Sequence, residues 1–209
     1  MLITAVEPRR KSLVEVFLDG QSAGQVDWET AERLHVKPGR TMSDEEWAVL
    51  CKESDVTRAR SYALWILSRR SISSKKLLEK IKEQYNMDAA NAAVERMQEL
   101  GLVNDTDYAR RCASDLFRLR HFSVARVVQE LRQRGIDSSL ARQVAEEVAE
   151  EMAPDPQEVL RSLLETKFSG RLETEKDRRR TIAALQRMGY RWEDIRTAIG
   201  ALDEEYTEM

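Results

Sequence analysis

The chain has 209 residues, of which 42% are hydrophobic and 34% are charged, with a formal net charge of −3 at pH 7. Glycine and proline are scarce, with 8 and 4 copies, which favours a mainly helical fold with one or two cores. The longest unbroken apolar run, residues 62–67, is too short to cross a membrane, and the start of the chain lacks the pattern of a secretory signal. Cys51 and Cys112 have no CxxC spacing, so we expect free thiols in a cytoplasmic protein.

Residues 1–55 are predicted to form a small α/β domain that contains a β-hairpin. The segment SLVEVFLDGQSAGQVDW places β-branched and aromatic residues on both sides of Asp19-Gly20, a pair typical of a two-residue hairpin turn. An earlier strand is expected at residues 3–6 and a short helix near residues 28–34. A second short helix is expected at SDEEW, where a serine and a glutamate three residues later fit a capping box.

Beyond residue 58 the sequence shows only helical patterns, and these patterns recur. When Ile81, Leu131 and Leu185 are placed in register, their neighbours agree, and the spacings between them are 50 and 54 residues. A period of this size indicates a tandem array of units, each burying part of its apolar face against its neighbour. We therefore predict three three-helix repeats, which span residues 58–104, 105–152 and 156–205.

The segment VQELRQRGIDSSLA has the outline of a helix-turn-helix, which often reads the major groove of DNA. It has counterparts at IKEQYNMDAANAA and LQRMGYRWEDIRT. A groove-reading motif would not need such copies, so the pattern favours a joint between two helices of a repeat.

The sequence offers no recognisable catalytic site, and we expect neither enzymatic activity nor a cofactor. It has no glycine-rich phosphate loop, and His35 and His121 lack the neighbours of a triad or a metal site. The glutamates within residues 146–151 follow the spacing of a solvated helix face rather than that of metal ligands.

The tryptophans are the other residues with a possible binding role, since they are able to stack on bases. Trp28, Trp47 and Trp192 lie near the starts of short elements and are interpreted as anchors of small cores. Trp65 falls off the apolar stripe of its helix and remains the candidate for an exposed contact.

Charge is distributed unevenly along the chain. Residues 58–134 carry 16 Lys and Arg against 9 Asp and Glu, a net charge of +7, whereas residues 1–57 and 135–209 carry −4 and −6. The middle third alone is expected to attract a polyanion or an acidic surface. Ten of its basic residues fall outside the apolar stripes and are expected to face solvent as a partner-binding or DNA-binding surface: Arg69, Arg70, Lys75, Lys80, Arg110, Arg118, Arg120, Arg126, Arg132 and Arg134.

Four segments in order resemble RecX, the bacterial family that regulates the RecA recombinase. ARSYALWILSRRSISSKKLLEKI is similar to the first helical pair of that family, and ELGLVNDTDYARR is similar to its turn followed by an aromatic-alanine pair, here Tyr108-Ala109. ELRQRGID and LQRMGYRWEDI resemble the closing segments of the second and third repeats. The resemblance covers essentially the whole chain.

The resemblance implies a mainly α protein, built as an elongated, curved array of three-helix repeats behind a hairpin-bearing head. It implies a non-catalytic regulator that lodges in the helical groove of the RecA filament on single-stranded DNA. Such a regulator limits filament extension or favours net disassembly, and it lowers ATP hydrolysis, strand exchange and the coprotease activity that cleaves the SOS repressor. We expect a monomer with weak direct DNA binding and no membrane association. The alternatives are a DNA-binding module that acts without RecA and a helical scaffold for another partner.

Two positions depart from the family pattern. Ser123 stands where the second repeat usually has glycine, and it is expected to cap the following helix. Met188 stands where the third repeat usually has a basic residue, which puts in doubt a charge contact at that position.

Overall fold

The computed structural model describes residues 1–10, 12–152 and 155–207. The protein consists of two compact units, Met1–Asn104 and Asp105–Met209. A three-stranded antiparallel sheet lies at the start of the first unit, and in the part of the chain that the structure describes the later elements are helices, as predicted. Within the described residues, no helix is both long enough and apolar enough to span a membrane.

The sheet of the first unit is a meander of two hairpins, in the order β1-β2-β3. Asp19 and Gly20 both have positive φ, at 49° and 83°, so the predicted tight turn joins the second and third strands. Alternate residues of β2 point into the core, as period-two patterning requires. The strands are β1 (Ile3–Pro8), β2 (Leu13–Leu18) and β3 (Gln21–Asp27).

Two helices follow the sheet, α1 (Trp28–Arg33) and α2 (Asp44–Leu67). The capping box predicted at the second helix is present: the Ser43 side chain accepts from the Glu46 amide, and the Glu46 carboxylate accepts from the Ser43 amide. The expectation of a second short helix confined to residues 1–55 is wrong. α2 runs for 24 residues and crosses the predicted boundary between residues 55 and 58 without a break.

The two ends of α2 bury different faces. Leu50 belongs to the core beneath the sheet, and Ser54 is buried and accepts a hydrogen bond from the Asp27 amide at 2.7 Å. At 100° per residue, the face buried by the second half lies about half a turn around the helix from these two. That second face packs in the core of the first repeat and consists of Ala59, Ala63 and Ile66.

The second half of α2 and the next two helices form the first three-helix repeat around one core. These helices are α3 (Ser74–Ile81) and α4 (Met87–Glu99). Leu77 and Ile81 of α3 are fully buried, as the predicted stripe requires. Gly101, with φ of 68°, follows the last helix in the left-handed conformation expected of a C-terminal glycine.

The second unit contains two further three-helix repeats, each with its own core. The second repeat consists of α5 (Asp105–Arg120), α6 (Val124–Gln133) and α7 (Ser138–Met152). The third repeat consists of α8 (Pro156–Glu165), α9 (Glu175–Arg187) and α10 (Trp192–Thr207). Ile81, Leu131 and Leu185, the residues that set the register of the repeats, are all fully buried.

The equivalence of the repeats extends to the way in which their middle helices begin. Ser73, Ser123 and Thr174 are the N-caps of α3, α6 and α9, and each accepts a hydrogen bond from the amide three residues later. The prediction that Ser123 caps its helix is therefore confirmed.

Candidate partner-binding surface

The four predicted basic residues of the first unit lie in the turn that follows α2 and on α3. Arg69, Arg70 and Lys75 are exposed, whereas Lys80 is half-buried. The Arg69 guanidinium lies over the Trp65 ring, 4.4 Å from its centroid. A cation held on an aromatic face is pre-positioned, yet it keeps its charge available to solvent and to a partner.

Trp65 belongs to a row of three aromatic side chains in contact. Its ring stacks on Tyr62 with centroids 5.7 Å apart, and Tyr62 lies 6.1 Å from Tyr85. Because Tyr62 and Arg69 both lie against its ring, Trp65 is not an unoccupied platform for stacking on a base. The interpretation of the other tryptophans is correct for Trp47, which packs against the sheet core. It is wrong for two helix-start residues that remain about half exposed, namely Trp28 at 50% and Trp192 at 47%.

In the second unit, three of the predicted arginines are engaged within the fold. Arg110 joins α5 to α7, with its guanidinium 2.7 Å from the Glu147 carboxylate and 2.5 Å from that of Glu151. The hydrogen bond to Glu151, with smaller contributions from its charge and from Glu147, raises the pKa of Arg110 above its usual value. The glutamates at this face of α7 thus pair with an arginine, and within the described residues no group of His, Cys, Asp and Glu is placed to hold a metal ion.

Arg126 and Arg134 share one carboxylate. Both guanidiniums lie 2.7 Å from Glu130, one turn away on either side along α6. Arg126 also lies over the Phe122 ring, 5.5 Å from its centroid. Both arginines are half-buried, so the expectation that all ten basic residues face solvent fails for these two, for Arg110 and for Lys80.

The exposed members of the predicted set in the second repeat lie at the ends of α5 and α6. Arg118 reaches Asp115 at only 3.4 Å, and its side chain is 67% exposed. Arg120 and Arg132 are exposed and make no ion pair with any residue of the described chain. These three, with Arg69, Arg70 and Lys75 of the first unit, are the members of the predicted set whose charge is displayed to solvent.

Sequence reasoning missed a polar notch where the second and third repeats meet. Gln129 of α6, together with Gln186 and Arg187 at the end of α9, lines a recess of about 420 Å³. Arg187 lies one residue before Met188, whose side chain is buried in the core of the third repeat. Met188 itself therefore cannot make a charge contact, but an exposed cation, Arg187, lies next to it in the chain.

Comparison with known proteins gives the same family for successive parts of the chain. Residues 104–151 match "RecX, second three-helix domain", and residues 154–199 match "RecX, third three-helix domain". A "Regulatory protein RecX" from Trichlorobacter lovleyi is 33% identical over 138 residues, which cover 64% of this chain and 88% of that relative. The chain belongs to the RecX family. The resemblance that the sequence segments indicated is confirmed.

Other RecX relatives match over greater lengths. The "Regulatory protein RecX" of Caldanaerobacter subterraneus subsp. tengcongensis is 29% identical over 178 residues, covering 84% of this chain and 89% of that protein. A solved structure described as "Crystal structure of regulatory protein RecX" superposes with a TM-score of 0.68 at 19% identity, covering 95% of this chain and 98% of that one. RecX from Lactobacillus salivarius superposes with a TM-score of 0.57 at 20% identity. These structures share the fold of the present chain.

Proposed function

We propose that this protein regulates RecA by binding in the helical groove of the RecA nucleoprotein filament. Bound there, it limits filament extension and so lowers ATP hydrolysis, strand exchange and coprotease activity. The observation that carries the proposal is membership of a family whose relatives are named regulatory protein RecX, over most of the chain and of those relatives. The protein acts as a non-catalytic monomer, and its place of action is that of its partner, the cytoplasm.

The exposed cations support a role in binding. Arg70, Lys75, Arg120 and Arg132 are exposed and make no ion pair within the described chain, so no internal carboxylate has to be displaced when a partner binds. Several weak charge pairs would give fast association and an affinity that falls with salt. Repeated units that contact successive protomers of a polymer would add avidity to these single contacts.

The test is the DNA-dependent ATPase of purified RecA with this protein added below one molecule per RecA protomer. We expect strong inhibition at such ratios, because one regulator that blocks extension affects many protomers. An unaffected ATPase would contradict the proposal. Binding to naked DNA with no effect on RecA would favour a DNA-binding module that acts by itself.

The same assay tests the basic surface of the second repeat. Replacing Arg118 and Arg120 together by Glu should raise the concentration needed for half inhibition by about tenfold, which corresponds to about 1.4 kcal/mol of binding. Arg126 is left in place because its pairing with Glu130 belongs to the fold. Two exposed arginines of the third repeat, Arg171 and Arg196, replaced by Glu serve as the control of equal charge change. If the Arg118/Arg120 variant and the Arg171/Arg196 variant inhibit the RecA ATPase at the same concentration, Arg118 and Arg120 do not belong to the binding surface.

A further inference from the structure

The notch between the second and third repeats is lined mainly by hydrogen-bond donors. One wall is the exposed edge of α6, and the other is the end of α9 with the turn that follows it. The recess has a volume of about 420 Å³, and its lining consists of Ala125, Arg126, Gln129, Gln186, Arg187 and Gly189. Two arginine and two glutamine side chains therefore line one recess.

Only part of the hydrogen-bonding capacity of the notch is used within the fold, and Arg187 is its accessible cation. The Arg126 amino groups donate to the Gln129 carbonyl oxygen at 3.0 Å and to Glu130 at 2.7 Å, but its buried Nε has no acceptor in the described chain. Arg187 is exposed and has no ion pair among the described residues. Since Glu130 is already shared by Arg126 and Arg134, the notch keeps an excess of positive charge.

The walls of the notch are held together by close contacts. The Ser123 amide donates to the Met188 carbonyl at 3.0 Å, and the Tyr190 hydroxyl donates to the His121 carbonyl at 2.9 Å. A Cβ on Gly189 would lie 2.3 Å from the Ser123 Oγ, which shows how closely the turn after α9 approaches the start of α6. These contacts fix the two walls relative to each other before a ligand binds, so the recess does not have to be assembled on binding.

We propose that this notch binds an acidic side chain, aspartate or glutamate, presented by a partner protein. The inference rests on the proposed function, in which that partner is the RecA filament. Guanidinium and carboxamide donors around a small recess match a carboxylate, which accepts up to four hydrogen bonds.

Charge favours a protein ligand over a nucleic acid at this place. Residues 105–209 carry 18 Lys and Arg against 21 Asp and Glu, a net charge of −3. A nucleic-acid strand needs a series of cations along its path, whereas this unit as a whole carries no excess of basic residues. A single carboxylate on a protein surface needs only the donors of the notch itself.

The experiment measures binding of the fluorescently labelled full-length protein to RecA filaments assembled on a poly(dT) oligonucleotide, and to the same oligonucleotide without RecA. The variants are R187E, which reverses the exposed charge, and Q186E, which places a carboxylate in the notch without removing an ion pair. R196E is the matched control, because Arg196 is an exposed arginine of α10 outside the notch. Thermal unfolding followed by circular dichroism shows that each variant is folded.

We expect R187E and Q186E to weaken filament binding by about tenfold or more, and R196E to bind as the wild type does. If both notch variants bind filaments as tightly as R196E, the inference is overturned while the proposed function stands. If R187E weakens binding to the bare oligonucleotide by the same factor, the notch holds a phosphate and the inference is again overturned. Wild-type protein that ignores filaments would overturn the proposed function, and this inference with it.

Discussion

Replacement of Gly189 by alanine is expected to destabilise the protein, because the added Cβ has no room. Its φ of +95° is a conformation that residues with a side chain rarely adopt, and a Cβ would lie 2.3 Å from the Ser123 Oγ and 2.6 Å from the Arg126 Cβ. Backbone strain and overpacking each cost roughly 1–3 kcal/mol. We expect G189A to lower the free energy of unfolding by about 2–4 kcal/mol, measured by urea denaturation.

The chain provides its own control for that substitution. Gly200 lies inside α10, has no positive φ, and has no atom within 4 Å of an added Cβ. Alanine has the higher helix propensity there, so G200A should stabilise the protein by about 0.5–1 kcal/mol. A G189A variant as stable as G200A would show that the turn does not pack on α6 as described.

Tyr190 is expected to make the protein less stable at alkaline pH. Burial raises the pKa of its hydroxyl from 10.0 to about 12, and the hydroxyl donates to the His121 carbonyl. Between pH 10 and 12 the unfolded chain therefore loses this proton while the folded chain keeps it. The free energy of unfolding must fall as the pH rises through this window.

The expected size of this effect follows from comparison with Y190F, which has no ionisable group at the position. Wild-type protein should lose on the order of 1–2 kcal/mol more than Y190F between pH 9.5 and 11.5, measured by denaturation at each pH. Titration of other tyrosines and lysines cancels in the difference between the two proteins. Parallel pH profiles would contradict the burial of the Tyr190 hydroxyl.

At the scale of elements, α2 links the sheet to the first repeat through a buried polar contact. The Ser54 hydroxyl accepts from the Asp27 amide at the end of β3, and both residues are buried. Removing the acceptor leaves a buried N–H without a partner, which costs roughly 1–3 kcal/mol. S54A should therefore destabilise the protein by that amount in thermal or urea unfolding.

S61A is the matched control, because Ser61 lies on the same helix and is exposed. Its effect should stay within about 0.5 kcal/mol, as is usual for surface substitutions. Equal stability of S54A and S61A would show that the contact between β3 and α2 contributes nothing to the fold.

The sequence did not predict that α2 is one continuous helix. A search for one apolar stripe succeeds only where one face stays buried, and α2 exchanges its buried face between Leu50 and Ala59. The hairpin turn at Asp19-Gly20 and the cap at Ser43 were predictable because each depends on residues adjacent in sequence.

At the scale of the whole molecule, the order of three helical repeats after a small sheet followed from periodicity and was confirmed. The binding surface was less predictable, since charge pairing depends on residues distant in sequence. Arg110 was assigned to a partner, but it pairs with glutamates 37 and 41 residues away. The notch formed by Arg187, Gln129 and Gln186 was not predicted, because these residues come together only when the second and third repeats pack.

The unbroken course of α2 determines where this protein can be divided. A fragment that begins at residue 56 would start inside a hydrogen-bonded rod, without the serine that caps it and with its first amide groups unsatisfied. A fragment that ends at residue 55 would keep Leu50 but lose the second half of α2, which packs in the core of the first repeat. The sheet and the first repeat should therefore be kept together when the protein is truncated or grafted onto another.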